Sequence, residues 1–177
     1  TKKYVGNFQV RANADSARDA GLSLKFGADG IGLCRTEHMF FQEERINLFR
    51  NMVLSQTEEE RKKILADLKK IQIKDFYGLL KAMRGKPVTI RLLDAPLHEF
   101  LPHNETEKKE YLDYAKNCGI KMTKAALEAQ MIALSESNPM LGHRGCRIAI
   151  SHPEIYEMQV SALFEAACKL SKEKIKV

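Results

Sequence analysis

Two arginines stand where a guanidinium is expensive to keep. Arg35 closes the apolar run of Gly30-Ile-Gly-Leu-Cys-Arg-Thr-Glu-His-Met-Phe40, and Arg91 closes that of Pro87-Val-Thr-Ile-Arg-Leu-Leu-Asp94. An always-charged side chain beside an apolar strand is costly unless something anionic meets it. Its planar fork fits a carboxylate or a phosphate. Two such strands in one sheet would build an anion site at the strand ends, where α/β proteins place their ligands. On spacing alone, a structural ion pair with Glu37 or Asp94 explains the two arginines equally well.

The elements that must position them follow from the pattern. Phe8 to Ala14 alternates apolar with polar residues and reads as a strand. Asp15 and Ser16 offer caps for a helix from Ser16 to Lys25, ended by Gly27. Gly30 to Thr36 is the second strand, and Arg45 to Leu54 is helical. Thr57-Glu-Glu-Glu60 is a capping box that opens a helix to about Lys70, and Asp75 caps a further helix to about Met83. Gly85 and Pro87 punctuate the way into a third strand, Val88 to Asp94. Glu107 to Asn117 and Thr123 to Glu136 are helices separated at Gly119. Met140 to Ile150 reads as loop or short extended chain. Ser151-His-Pro-Glu154 is a second capping box, opening a helix to about Lys172, and Ile175 and Val177 look like the start of a fourth strand. Such alternation implies a parallel α/β sheet. Three strands do not close a barrel, which takes about 250 residues, so the sequence reads as cut short.

Bulk properties narrow the classes. A chain of 177 residues can bury one ordinary core, so one domain is expected. No apolar run approaches the roughly 20 residues of a membrane span, and no secretory signal stands at the start. Thr1 is not an initiator, so the chain is expected to begin inside a longer one or after processing. The formal charge of +6 comes largely from lysines, grouped at Lys62-Lys63, Lys69-Lys70, Lys108-Lys109 and Lys169 to Lys176. Most stand among glutamates on helices and read as solvated surface. Without interleaved aromatics they argue against nucleic-acid binding. Cys34, Cys118, Cys146 and Cys168 form no Cys-x-x-Cys pair and read as free thiols in a reducing compartment, the cytoplasm by default, with an organelle left open.

Four strings carry a resemblance to the pyruvate, phosphate dikinase family: Ala12-Asn-Ala-Asp15; Gly30 to Phe41; Val88-Thr-Ile-Arg-Leu-Leu-Asp-Ala-Pro-Leu-His-Glu-Phe-Leu-Pro102; and Asn138-Pro-Met-Leu-Gly-His-Arg-Gly-Cys-Arg147. They span nearly the whole chain in order, with Ala95 standing where the family has Pro. The resemblance implies a fold and a setting. Residues 1–177 would be the N-terminal portion of a phosphoenolpyruvate/pyruvate-binding TIM barrel, a partial (β/α)8 fold of about three β/α units with extra helices. The complete enzyme interconverts ATP, phosphate and pyruvate with AMP, pyrophosphate and phosphoenolpyruvate through a phosphohistidine carrier. Arg35 and Arg91 match arginines that hold the phosphoryl group, and Arg144 matches a third basic residue at the rim. No catalytic residue and no metal ligand is assigned within this segment. The Mg2+ ligands and the proton-donating cysteine belong beyond Val177. The phosphohistidine and ATP-grasp domains belong before Thr1, and a homodimer is expected. The segment would not turn over alone.

Plainer readings stand beside these. Glu37 and Asp94 either orient the arginines or pair at the surface. Arg144 and Arg147 serve a ligand or anchor a carboxylate. His38, His98 and His143 are read as local hydrogen-bonding groups rather than phosphoryl carriers or metal ligands. Met122, Met131 and Met140 are core fillers, and Asn13 is a minor candidate for the barrel mouth. Phosphoenolpyruvate synthase and enzyme I of the sugar phosphotransferase system share the Arg-Thr-Glu string and are the first alternative. A non-catalytic anion-binding module is the second.

Overall fold

Three short strands form one parallel sheet in the order β1 (Arg11–Asn13), β2 (Gly30–Arg35), β3 (Val88–Arg91). The register sets Arg11 beside Gly30, Ile31 beside Val88, Cys34 beside Ile90, and Arg35 beside Arg91. The computed structural model describes residues 6–138 and 140–177, apart from the side chains of residues 43 and 44. Gly30 is required by the sheet itself. A Cβ there would meet the Pro87 carbonyl oxygen at 2.6 Å and the Pro87 ring at 2.8 Å, so only glycine lets β2 and β3 start this close together.

Seven helices are described: α1 (Ala17–Lys25), α2 (Glu43–Leu54), α3 (Glu58–Met83), α4 (Glu105–Asn117), α5 (Lys124–Leu134), α6 (Cys146–Ser151) and α7 (Pro153–Lys172). Their ends follow side-chain chemistry. Ser16 caps α1 by accepting from Asp19 N–H, Asn104 caps α4 through Glu107 N–H, and Thr123 caps α5 through Ala126 N–H. The box before α3 forms in both directions, with Glu60 N–H on Thr57 Oγ1 at 3.2 Å and Thr57 N–H on the Glu60 carboxylate at 3.4 Å.

Four expectations are corrected. The two helices expected on either side of Lys70 are one helix of 26 residues, α3. Leu65, Leu68, Gln72, Phe76, Leu79 and Met83 fall three or four apart and are all buried. That continuous face outweighs the weak capping preference of Asp75. The segment Met140 to Ile150 contains the start of helix α6, entered through Gly145 at φ 54. The box at Ser151 does not cap α7. Ser151 ends α6, its hydroxyl donating to Arg147 O at 3.2 Å, while Glu154 accepts from Arg61 at 2.7 Å. Residues 175–177 form no strand in the described structure. Lys174 takes φ 59 and Ile175 N–H closes back on Leu170 O at 3.0 Å, so this stretch is spent on ending α7.

The chain divides into two compact units, one of residues up to Met39 with Lys69–Leu93 and Glu157–Val177, the other of Phe40–Leu68 with Asp94–Tyr156. In the first, helices cover one face of the sheet. Ile31 and Cys34 of β2 pack with Ala20 of α1, with Phe76, Leu79 and Met83 of α3, and with Ala162 and Ala166 of α7, while Ala12, Val88 and Ile90 pack against the same cluster. In the second, an aromatic group holds the core. Phe49 lies 4.5 Å from Phe40 and 4.2 Å from Phe100 between ring centres, and Phe41 stacks on Phe100 at 4.7 Å.

Candidate anion-binding site

Strand alternation decides where the arginines go. Cys34 and Ile90 are register partners that pack toward the helices. The next residues, Arg35 and Arg91, therefore belong to the opposite face of the sheet. They are register partners themselves, at the C-terminal ends of their strands. Arg11 and Asn13 flank Ala12 on β1 and are turned to that same face by the same rule. Only Arg35 and Arg91 meet at the C-terminal edge, since Arg11 sits beside Gly30 at the other end of the sheet.

A carboxylate answers Arg91. Glu37, only 5% exposed, ion-pairs through Oε1 with Arg91 Nη2. Its Oε2 is buried and has no hydrogen-bond partner among the described residues. Among those residues the Arg35 guanidinium makes no hydrogen bond or ion pair. The Arg35 guanidinium therefore keeps a forked set of donors of the kind that recruits phosphate or carboxylate.

The backbone at this edge is held by a residue that was read only as a helix cap. Asp15 accepts the Arg35 N–H at 2.6 Å through Oδ1, and its Oδ2 pairs with His38 Nδ1 at 2.7 Å. The sequence signal was the Ala12-Asn-Ala-Asp15 string, but nothing local reveals a bond across 20 positions. Three fully buried polar side chains, Thr36, Gln72 and Gln159, lie just behind it. Neither glutamine stood out in the sequence. Cys34 is fully buried under β2, and its thiol is pushed up to about 12 by burial first and then by the charges of Asp15, Glu37 and Asp75. It is a packing residue, not a nucleophile.

The remaining candidates lie in the second unit. Arg144 Nε donates to Asp94 Oδ1 at 3.2 Å. Gly145 permits that approach, since a Cβ there would stand 2.8 Å from Asp94 Oδ1. Arg147 Nη1 donates to the carbonyls of Leu141 and Gly142. His143 N–H donates to Glu136, and its Nε2 meets Ser151 Oγ at 2.7 Å. His98 Nδ1 is buried with no hydrogen-bond partner among the described residues. Within those residues no group of three or more His, Cys, Asp or Glu is placed to hold a metal ion. No helix of the described residues is long and apolar enough to cross a membrane.

The described residues form a mixed α/β protein with a three-stranded parallel sheet, and the family comparison says which one. Residues 2–177 match the family described as PEP-utilising enzyme, PEP-binding domain, and the chain belongs to it. It is 62% identical over 177 residues to the pyruvate, phosphate dikinase of Treponema pallidum (strain Nichols), an alignment covering 99% of this chain and 20% of that protein. It is 49% identical over 165 residues to the pyruvate, phosphate dikinase of Clostridium symbiosum, covering 93% of this chain and 18% of that protein. The figure for the pyruvate, phosphate dikinase of Rhizobium meliloti (strain 1021) is 51% over 164 residues, with the same coverage. The chain thus spans about a fifth of the length of these relatives.

Proposed function

We propose that this chain forms the first part of the phosphoenolpyruvate-binding barrel of a pyruvate, phosphate dikinase, and that Arg35 and Arg91 hold the substrate's anionic groups. One observation carries the reading: the two arginines are register partners at the C-terminal ends of neighbouring strands, and Glu37 ion-pairs with Arg91. Phosphoenolpyruvate carries a phosphate and a carboxylate, and moving its phosphoryl group leaves negative charge on the enolate oxygen. Positioning and fixed positive charge are what promote phosphoryl transfer. In this reading Arg35 takes the phosphoryl oxygens with all its donors available. Arg91 is aimed by Glu37, which spends one of its donors and keeps the fork in place. Arg144, steadied by Asp94, is the third substrate-binding arginine.

The rest of the enzyme follows as part of the same proposal. The remaining strands close the barrel. A Mg2+ ion would be held by carboxylates from outside the described residues and would neutralise charge on the transferring group. A phosphohistidine domain and an ATP-grasp domain of the same polypeptide deliver the phosphoryl group, the enzyme is a homodimer, and it works in the cytoplasm by default, with an organelle left open.

The test is steady-state kinetics of the complete polypeptide in the ATP-forming direction. Arg35→Ala and Arg91→Ala are expected to abolish turnover or raise the phosphoenolpyruvate requirement by orders of magnitude while the KM for AMP stays put. Unchanged phosphoenolpyruvate kinetics in both variants would end the assignment. Polyanion binding that survives both substitutions would favour a plain anion-binding module.

A further inference from the structure

We infer that Gln159 is a positioning residue for the strand-end arginines: one buried amide that ties together the chain segments leaving β2 and β3. The inference rests on the substrate-binding reading of Arg35 and Arg91.

The ladder between β2 and β3 ends at the Arg35–Arg91 pair. Beyond it the strands part, since Thr36 begins a short 3-10 helix and residues after Arg91 leave the sheet. Backbone hydrogen bonds therefore stop at the two residues whose placement matters most. Gln159, projecting from α7, takes over there. Its Oε1 accepts the Leu93 N–H at 2.9 Å, and its Nε2 donates to Thr36 Oγ1 at 3.1 Å and to Gln72 Oε1 at 3.2 Å. Thr36 directly follows Arg35, and Leu93 is two residues past Arg91. The amide orientation is not arbitrary, because a backbone N–H can only donate and so must face the oxygen. Gln72 Nε2 then points on to Met39 Sδ at 3.9 Å.

Burial makes the arrangement informative. Gln159, Gln72 and Thr36 are each 0% exposed. An apolar side chain of the same length would fill the space with no amide to desolvate. A buried amide with both ends satisfied specifies geometry instead. What it specifies is the separation of the two segments that begin at Arg35 and Arg91, hence the spacing of the two forks. A displacement of about 1 Å in a binding group can cost up to about a hundredfold in rate.

The experiment measures the complete polypeptide carrying Gln159→Met, which keeps length and volume but removes the amide. Leu79→Ala serves as a matched control that loosens the same helical layer without touching the clamp. Gln159→Met is expected to raise the KM for phosphoenolpyruvate roughly tenfold and leave the KM for AMP unchanged, whereas Leu79→Ala lowers the melting temperature at least as much and moves neither. Gln72→Met, which removes a partner of Gln159 and no contact to Leu93 or Thr36, is expected to give a smaller rise, about threefold. It supplies the answer if Gln159→Met does not fold. An unchanged phosphoenolpyruvate KM in the folded variants overturns the proposal, and so does an equal rise in Leu79→Ala. Arg35→Ala run alongside separates the two ideas. A raised requirement in Arg35→Ala with none in Gln159→Met sinks only the clamp, whereas no change in Arg35→Ala sinks the site and the clamp with it.

Discussion

The two units spend their arginines differently. In the second, Arg50 is 5% exposed and gives its donors away internally: Nε to Phe100 O at 2.8 Å, Nη1 to Asn47 Oδ1 at 3.1 Å, and Nη2 to Glu107. Arg61 does the same with Glu154 at 2.7 Å and with Ser55 O at 3.3 Å. In the first, Arg35 and Arg91 are register partners at the strand ends, Arg91 pairs with Glu37, and the Arg35 guanidinium has no acceptor among the described residues. A guanidinium whose donors are absorbed by its own fold is scaffold. One held at a strand end with its donors unspent is suited to an anion from outside. Burial alone would have ranked these side chains in the wrong order for function.

The contrast can be broken most directly at its extremes. Arg35→Ala should cut kcat/KM for phosphoenolpyruvate by at least about a hundredfold while thermal melting stays near wild type. A large stability loss with intact kinetics would place Arg35 with the scaffold group. Arg50→Ala should do the reverse, costing about 3 kcal/mol in urea unfolding because Glu107 and the Phe100 carbonyl lose their partner. Its substrate KM should hold wherever the protein is folded.

Glu37→Gln tests the middle ground. It keeps the shape and removes the charge that aims Arg91, so a fall of roughly tenfold in kcat/KM is expected. No change would mean the ion pair is structural. The tenth-scale effect should also shrink in Arg91→Ala background, as the two side chains act through one contact.

Smaller effects sharpen the picture of the two surroundings. His152 in the second unit is held below its ordinary 6.5, first by burial and then by the positive charge of Arg61. The unfolded chain therefore takes up that proton before the folded one does. Its contribution to stability is complete above about pH 6.5 and is lost as the pH falls through the depressed folded value. Unfolding midpoints measured across that window should slope less in His152→Gln, and an unaltered slope would exclude this histidine as the source. In the first unit, Cys34 should resist iodoacetamide at pH 8 in the native protein, while the exposed Cys118, Cys146 and Cys168 are accessible to it. Mass spectrometry of the labelled chain would reveal any early reaction at Cys34.

Much of this was legible in the sequence because it is local. Apolar runs closed by Gly and Pro marked β2 and β3, and Thr57 with Glu60 marked the start of α3. The cost of an arginine beside an apolar strand singled out Arg35 and Arg91 with no structure at all. Local signals also misled. Asp75 looked like a cap, yet the buried face from Leu65 to Met83 runs straight through it. Ser151 looked like a cap, yet its hydroxyl serves the end of α6. In both cases a preference worth about 1 kcal/mol met packing worth more.

By itself, then, the chain determined its strands, most of its helix starts and the identity of its two strand-end cations, since each depends on neighbours within a turn or a strand. Only the tertiary structure decided that Arg35 and Arg91 are register partners, that Glu37 answers one of them, that Asp15 holds the Arg35 backbone, and that Gln159 joins Thr36 to Leu93 across 123 and 66 positions. Register and buried polar pairing are long-range choices. They are set by which faces the sheet must bury and which amides must find partners, and no stretch of sequence contains both halves of such a bond.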